Sequence, residues 1–100
     1  MLRHIVMWKF IDGAKDQSVS QHAAWMKEHL EALVGVIPEI RSLEVGINRS
    51  LSPMAYDAVL TLTVDDADAL QRYRQHPAHQ AISQYCHEVR SARTVVDYDI

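Results

Sequence analysis

The chain has 100 residues, of which 48% are hydrophobic, so it can form one domain with a substantial core but is too short for two. Ten Lys and Arg residues against thirteen Asp and Glu give a net charge of -3 without long runs of one sign. This balance excludes the basic surface that nucleic acid or an anionic membrane requires. We therefore expect a single domain over residues 1–100, with neither nucleic acid nor a membrane as a partner.

The cysteine content and the N-terminal segment indicate the cellular compartment of the protein. The only cysteine is Cys86, so no intrachain disulfide can form, and we expect this thiol to be a small buried hydrophobic group. His4 and Lys9 interrupt the first apolar stretch, which excludes a signal sequence or a membrane span there. Both observations predict a cytoplasmic protein.

The chain begins with a predicted strand over residues 2–11. His4, Val6 and Trp8 alternate with residues that are also largely apolar, so both faces of this strand carry apolar side chains. Such a pattern is typical of a strand at the centre of a sheet.

A helix is predicted next, over about residues 19–35. Ser18 followed by Gln21 fits a capping box, and apolar residues then recur at helical spacing. Gly35 favours a helix end, and Pro38 blocks any continuation beyond it.

Two further strands are predicted on either side of a hairpin loop. Leu43, Val45 and Ile47 alternate with polar or small residues, and a longer alternation runs from Tyr56 to Val64. The segment NRSLSPMAY between them supplies the turn residues of a loop.

The second helical region is interrupted. After aspartates suited to a helix start, residues 69–75 predict one short helix and residues 77–89 a second, and a strand over residues 93–100 closes the chain. The order β-α-β-β-α-β, with its second helix broken, predicts an α+β, ferredoxin-like subunit whose antiparallel sheet has helices on one side only.

The opposite face of that sheet is partly apolar. Without a covering layer it would expose a set of side chains to water, namely Ile5, Met7, Ile11, Val59, Thr61 and Thr63. We therefore predict that the protein is its own partner, as a homodimer packed sheet to sheet.

The segment RQHPAHQA, residues 74–81, holds the candidate chemistry. Pro77 suits the first position of a helix, which makes His76 the N-cap and puts His79 in the first turn. The positive end of the helix dipole would keep the His79 imidazole neutral and able to accept a proton. Tyr73 and His4 can face the same apolar pocket. The alternative is three separately satisfied polar side chains.

Metal and cofactor sites are not indicated. His22 and His29 are seven residues apart, about 10.5 Å along a helix, too far to share one ion without other ligands. Cys86 and His87 are adjacent rather than spaced for joint ligation, and phosphate-binding glycine loops are absent. We predict no metal and no cofactor.

Four segments span nearly the whole chain and include a Tyr-x-x-His-Pro-x-His element: RHIVMWKFIDG, VIPEIRSLEVGIN, YDAVLTLTVDDADALQRYRQHPAHQ and VVDYDI. Together they resemble the Dabb family, the stress-responsive A/B barrel domain. The resemblance implies a ferredoxin-like subunit that dimerises into an α/β barrel. The family contains stress proteins of uncertain biochemistry and a few enzymes, so the fold alone does not define the activity.

One enzymatic activity of the family is cofactor-free aldol closure of a poly-β-ketone by a plant polyketide cyclase. By motif, the tyrosine and histidine of that chemistry fall on Tyr73 and His79, and a pocket histidine falls on His4. The resemblance thus implies His79 as base and Tyr73 as hydrogen-bond donor. A further histidine of that cyclase is replaced here by Ala58, so its polyketide substrate is not carried over.

Two functions therefore stay open. The first is a cofactor-free enzyme, of the cyclase, isomerase or lyase type, acting on a small apolar or aromatic carbonyl compound. Its catalytic residues would be His79 and Tyr73, and its substrate would contact His4, Val6, Trp8, Met26 and Leu30. The second is a non-catalytic, stress-associated or ligand-binding dimeric barrel, in which the aromatic residues Trp8, Trp25, Tyr56 and Tyr85 fill the space instead.

Overall fold

A computed structural model describes residues 1–100 and contains four strands and three α-helices. In chain order they are β1 (Leu2–Phe10), α1 (Val19–Glu31), β2 (Ser42–Ile47), β3 (Ala58–Val64), α2 (Ala67–Gln75), α3 (Pro77–Val89) and β4 (Arg90–Asp99). A short 3₁₀ helix, Ala14–Asp16, lies between β1 and α1. The predicted ferredoxin-like order, with its broken second helical region, is confirmed. No helix is long and apolar enough to cross a membrane.

The four strands form one antiparallel sheet in the order β2-β3-β1-β4. β1 is central, as its two apolar faces predicted, and it pairs with β3 on one side and with β4 on the other. The register sets His4 opposite Leu62 on β3 and opposite Asp97 on β4. Residues directly opposite in antiparallel strands share a face, so these three side chains lie on one side of the sheet.

That side of the sheet packs against the helices and forms the core. Val6, Trp8 and Phe10 of β1 are buried there, together with Leu60 and Leu62 of β3. The inward residues of α1 are buried at helical spacing, and they are His22, Ala23, Met26 and Leu30. Apolar side chains recur about every 2 residues along each strand and about every 3.6 residues along each helix, so they fall on one face of each element and are buried together.

The predicted end of the first helix was wrong by four residues. α1 ends at Glu31, and the chain then winds more tightly, since the Leu33 N–H donates to the Leu30 carbonyl at 3.0 Å and the Val36 N–H to the Leu33 carbonyl at 3.0 Å. Such bonds to the third residue back replace the α-helical pattern. Gly35, with φ of 85°, completes the turn.

Two strand boundaries also differ from the sequence prediction. β3 begins at Ala58 rather than Tyr56, because the Asp57 carboxylate accepts the Phe10 N–H at 2.7 Å where a strand carbonyl would otherwise do so. β4 begins at Arg90 rather than Arg93, since α3 passes into the strand without a loop.

No helix covers the other side of the sheet. Ile5 and Val59 are half-buried there, Met7 is 40% exposed, and Val96 of β4, which pairs with Ile5, is 61% exposed. Thr63 is buried within the chain itself. The uncovered face is therefore mixed, with apolar side chains at its centre.

The predicted capping box is present and allows a local stability test. The Ser18 hydroxyl accepts the Gln21 N–H at 3.2 Å, and the Gln21 side chain accepts the Ser18 N–H at 2.8 Å. Ser18→Ala should lower the free energy of unfolding by about 1 kcal/mol, because it leaves a helix N–H without its partner. Chemical denaturation measures this change. Ser20→Ala, in the exposed first turn of the same helix, is the matched control, and equal losses for both variants would contradict the assignment.

Candidate active site

A cavity of about 60 Å³ lies between the sheet and all three helices. Its lining includes every residue that the sequence assigned to a site: His4, Val6, Trp8, Met26, Leu30, Tyr73 and His79. The strand residues come from the inward face of β1, and Met26 and Leu30 come from one face of α1. The fold thus brings the assigned residues of four elements to one space.

The break between α2 and α3 positions Tyr73 beside His79. His76 is the N-cap of α3, as predicted, and its Nδ1 accepts the Ala78 N–H at 3.1 Å, while Pro77 takes the first helical position. The turn at His76 folds the start of α3 back toward the end of α2. The Tyr73 and His79 rings consequently lie 4.5 Å apart, centroid to centroid, tilted by 50°.

The His79 ring is held in one orientation by the backbone. Its Nδ1 lies 3.2 Å from the Arg74 carbonyl oxygen, which can only accept, so Nδ1 carries the hydrogen and Nε2 has the free lone pair. Burial lowers the pKa of His79, and the nearby His4, Arg74 and Arg93 lower it further. A neutral imidazole with a free nitrogen is a usable base at neutral pH.

Tyr73 is completely buried, and its hydroxyl has no hydrogen-bond partner in the protein. Burial raises the pKa of this phenol above its ordinary value, so the group keeps its proton at any physiological pH. An unpaired buried O–H is destabilising by roughly 1–3 kcal/mol. A bound oxygen atom in the cavity would supply the missing acceptor.

His4 is buried and paired with a carboxylate that the sequence analysis did not identify. Its Nδ1 lies 2.5 Å from Asp97 Oδ1, directly across the β1–β4 ladder. Burial lowers the pKa of His4 more than Asp97 raises it, so the neutral ring donates from Nδ1 and keeps the lone pair on Nε2. The segment VVDYDI contains this aspartate, but its inward facing is set by the pairing with β1, which the sequence does not show.

Six further residues of the cavity lining were not predicted from the sequence. They are Leu60 of β3, Ile82, Ser83 and Cys86 of α3, and Arg90 and Arg93 of β4. Cys86 is buried, as predicted, and burial raises the pKa of its thiol to about 11, so it stays protonated and unreactive. Arg90 and Arg93 lie where the cavity opens into a neighbouring polar groove, so they make this mouth cationic.

Most of the aromatic residues that the second hypothesis places in the cavity lie elsewhere. Trp25 and Tyr85 stack on each other with centroids 3.7 Å apart, and Tyr56 contacts Lys9 through its ring face. Only Trp8 among the four lines the cavity. The space is thus narrowed by Trp8 but not closed by the others.

The histidines of α1 have separate partners. His22 Nδ1 lies 2.9 Å from the Tyr85 hydroxyl, and His29 Nδ1 lies 2.8 Å from the Trp25 carbonyl oxygen. No group of three or more His, Cys, Asp or Glu side chains is arranged to hold a metal ion. The chemistry available to the cavity is that of imidazole, phenol and guanidinium.

The fold agrees with comparisons to known proteins. Residues 2–100 match the family described as the stress responsive A/B barrel domain, Dabb. An uncharacterized protein of Streptomyces coelicolor is 44% identical over 81 residues, which are 81% of each chain. The chain therefore belongs to the Dabb family.

Solved structures share the same architecture. A dimeric protein of unknown function with a ferredoxin-like fold from Bacteroides fragilis is 31% identical, with a TM-score of 0.85 over 99% of this chain and 95% of that one. Hydroxynitrile lyase from Passiflora edulis has a TM-score of 0.81 over 99% of this chain and 92% of that one. At 14% identity, the lyase shows a common fold and nothing further about activity.

The two cavity histidines predict a pH dependence of stability. Their pKa values in the folded state lie below the ordinary histidine value of 6.5, so the unfolded chain binds more protons near that pH. The free energy of unfolding should therefore fall as the pH drops through 6.5 and continue to fall until both histidines are protonated in the folded state.

Denaturant titrations at a series of pH values, made above the range where carboxylates titrate, measure this loss. His79→Gln should flatten the dependence, and Gln80→Ala, an exposed neighbour on the same helix, should leave it unchanged. A stability that is constant or rises on acidification would contradict the neutral, buried state of the two rings.

Proposed function

We propose that this protein binds the carbonyl end of a small organic compound in the cavity and moves a proton at the carbon next to that carbonyl. The observation that carries the proposal is the buried Tyr73 hydroxyl, which lacks a protein acceptor and lines the same cavity as His79. A hydrogen-bond donor beside a free imidazole nitrogen is the pair of groups that enolisation requires.

The reaction would begin with His79 Nε2 as the base. The proton leaves the α-carbon for Nε2, the imidazole becomes imidazolium, and the electron pair of the C–H bond moves to give an enolate. The enolate oxygen accepts a hydrogen bond from the Tyr73 O–H, which does not ionise because burial raises its pKa. Return of the proton to another carbon gives isomerisation. Attack by the enolate carbon on a second carbonyl, whose alkoxide oxygen then takes the proton from the imidazolium, gives aldol closure.

His4 would orient the compound. Its Nδ1–H donates to Asp97, which fixes the ring, and Nε2 is then the nitrogen that can accept a hydrogen bond from a ligand hydroxyl. Val6, Trp8, Met26 and Leu30 contribute the apolar walls that exclude water from the enolate.

The proton-transfer step can be tested by exchange. Small ketones and β-dicarbonyl compounds in D₂O should lose their α-hydrogens faster with the protein than in buffer, as followed by NMR. His79→Gln should lower the protein-dependent rate by about 100-fold, since general base catalysis contributes about that much. His29→Gln, which removes an imidazole away from the cavity, is the control. Equal rates for the two variants would contradict the role of His79.

Tyr73→Phe separates function from packing. It removes an unpaired buried hydroxyl, so the free energy of unfolding should rise by about 1 kcal/mol while the exchange rate falls about tenfold or more. A variant that is more stable and equally active would show that the phenol serves packing alone.

The cavity volume favours a second candidate function. Pockets that bury a whole drug-sized ligand have volumes of about 300–1,000 Å³, whereas this cavity has about 60 Å³. A non-catalytic barrel, which the sequence left open, needs no larger space. Absence of exchange for every compound of the panel would support this alternative.

We also propose that two copies pack through the uncovered sheet face. An apolar hollow of about 350 Å³ on that side is lined by Met7, Gly46, Ile47 and Val59, and the exposed Met54 lies at its edge. A second sheet would remove these groups from water. The Bacteroides fragilis structure is described as dimeric, which supports the dimer itself.

Met7→Lys tests the dimer. A charge at the centre of a buried sheet face is destabilising unless it is paired, so the variant should sediment as a monomer at micromolar concentration where the parent is a dimer. Gln84→Lys, on the exposed side of α3, is the matched control and should stay dimeric. A parent protein that sediments as a monomer would overturn this proposal.

A further inference from the structure

A polar groove of about 480 Å³ continues outward from the cavity. Apart from two glutamines of α3, it is lined by Arg74, His79, Ser83, His87, Arg90 and Arg93, and we call it the arginine groove. Four of these residues, His79, Ser83, Arg90 and Arg93, also line the cavity. The two spaces therefore meet at these four side chains.

The arginine groove has no carboxylate in its lining. Arg93 forms no ion pair, Arg90 donates only to His87 Nδ1 at 3.3 Å, and Arg74 comes no closer than 4.0 Å to an Asp97 oxygen. Of the arginines outside the groove, Arg41 and Arg72 bond carboxylates at 2.8 and 3.1 Å, whereas Arg3 and Arg49 have no carboxylate partner. The groove thus brings together three of the seven arginines of a chain whose net charge is -3, and neither Arg90 nor Arg93 is in an ion pair.

These cations act on one another. Partial burial lowers the pKa of Arg93, and the positive charges of Arg90 and Arg74 lower it further. Like charges held together destabilise the empty groove, and a bound anion would relieve the repulsion. Guanidinium groups bind the oxygens of carboxylates and phosphates through paired hydrogen bonds.

The size of the cavity adds a second constraint. A single water molecule needs about 10–15 Å³ of cavity volume. The cavity, at about 60 Å³, therefore admits a group of only a few non-hydrogen atoms. Any larger ligand must leave its remaining atoms outside the mouth. The atoms just outside would then contact Arg90 and Arg93, because these residues line both spaces.

We propose that the ligand is an anionic carbonyl compound, with its carbonyl end in the cavity and a carboxylate or phosphate group held by Arg90 and Arg93 in the arginine groove. This inference rests on the proposed proton transfer and specifies the class of its substrate. The charged group would anchor the compound at the mouth and direct its neutral end inward, toward Tyr73 and His79.

The experiment compares matched acid and neutral compounds. The His4 and His79 imidazole resonances are followed by NMR during titration with acetoacetate and with its methyl ester, and then with hydroxyacetone phosphate and hydroxyacetone. The anion of at least one pair should bind about tenfold more tightly than its neutral partner, since a hydrogen bond to a charged group contributes about that factor. The two pairs distinguish a carboxylate from a phosphate.

Variants assign the effect to the groove. Arg93→Gln and Arg90→Gln should each weaken binding of the anion about tenfold and leave binding of the neutral partner unchanged. Arg49→Gln makes the same change in net charge at an exposed position in the β2–β3 loop and should alter neither. Added salt should weaken binding of the anion and leave binding of the neutral partner unchanged.

Several results would overturn the inference. One is equal affinity for an acid and its neutral partner, and another is no saturable binding of either anion at millimolar concentration. A third is a loss of anion affinity in Arg49→Gln as large as in the Arg90 and Arg93 variants. The proposed function fails separately. If anions bind through Arg90 and Arg93 but no α-hydrogen exchanges, the anion site stands and the proposed proton transfer is wrong. If the neutral compounds exchange their α-hydrogens and neither arginine affects the rate, the proton transfer stands and the anion site is wrong.

Discussion

The pairing of β1 with β4 is the constraint on which the rest of the structure depends. It makes β1 a central strand, so that one of its faces packs under the helices and the other is left open. It also sets His4 opposite Asp97, so the same ladder that completes the sheet orients an imidazole in the cavity. Because β1 also pairs with β3, a shift of one residue in the β1–β4 register would turn Asp97 to the uncovered face and leave His4 without its carboxylate partner.

The polar groups of the cavity lower the free energy of unfolding, because they are buried among apolar side chains. Tyr73 is buried without a hydrogen-bond partner, and His4 and His79 are kept neutral by burial. The surrounding cluster of 19 buried apolar residues offsets this cost through packing. Buried polar groups without a protein partner are few in a folded chain, and each one calls for an explanation. Arg3, His22 and Thr63 each have such an atom too, but of the four residues only Tyr73 lines the cavity.

Local patterns in the sequence were sufficient for most of the fold and part of the site. Alternation along residues 2–11 predicted the central strand, and Pro77 located the break that brings Tyr73 to His79. The end of α1 was mispredicted because Leu33 continues the apolar spacing while its N–H has already left the α-helical pattern. Asp97, Arg90 and Arg93 were missed for another reason. Their inward position depends on the β1–β4 register, which joins residues 93 apart and leaves no local periodic signal.

The distribution of the cavity residues along the chain has a consequence for folding. Tyr73 and His79 are brought together by a local turn, whereas His4 and Asp97 meet only when strands from opposite ends of the sequence pair. Contacts between such distant residues carry the largest loop-closure entropy and form late. An intermediate lacking β4 would hold a preformed Tyr–His turn beside an open sheet edge, with His4 unpaired. The site that His4 shares with Tyr73 and His79 is therefore complete only in the finished sheet, after the first and last strands of the chain have paired.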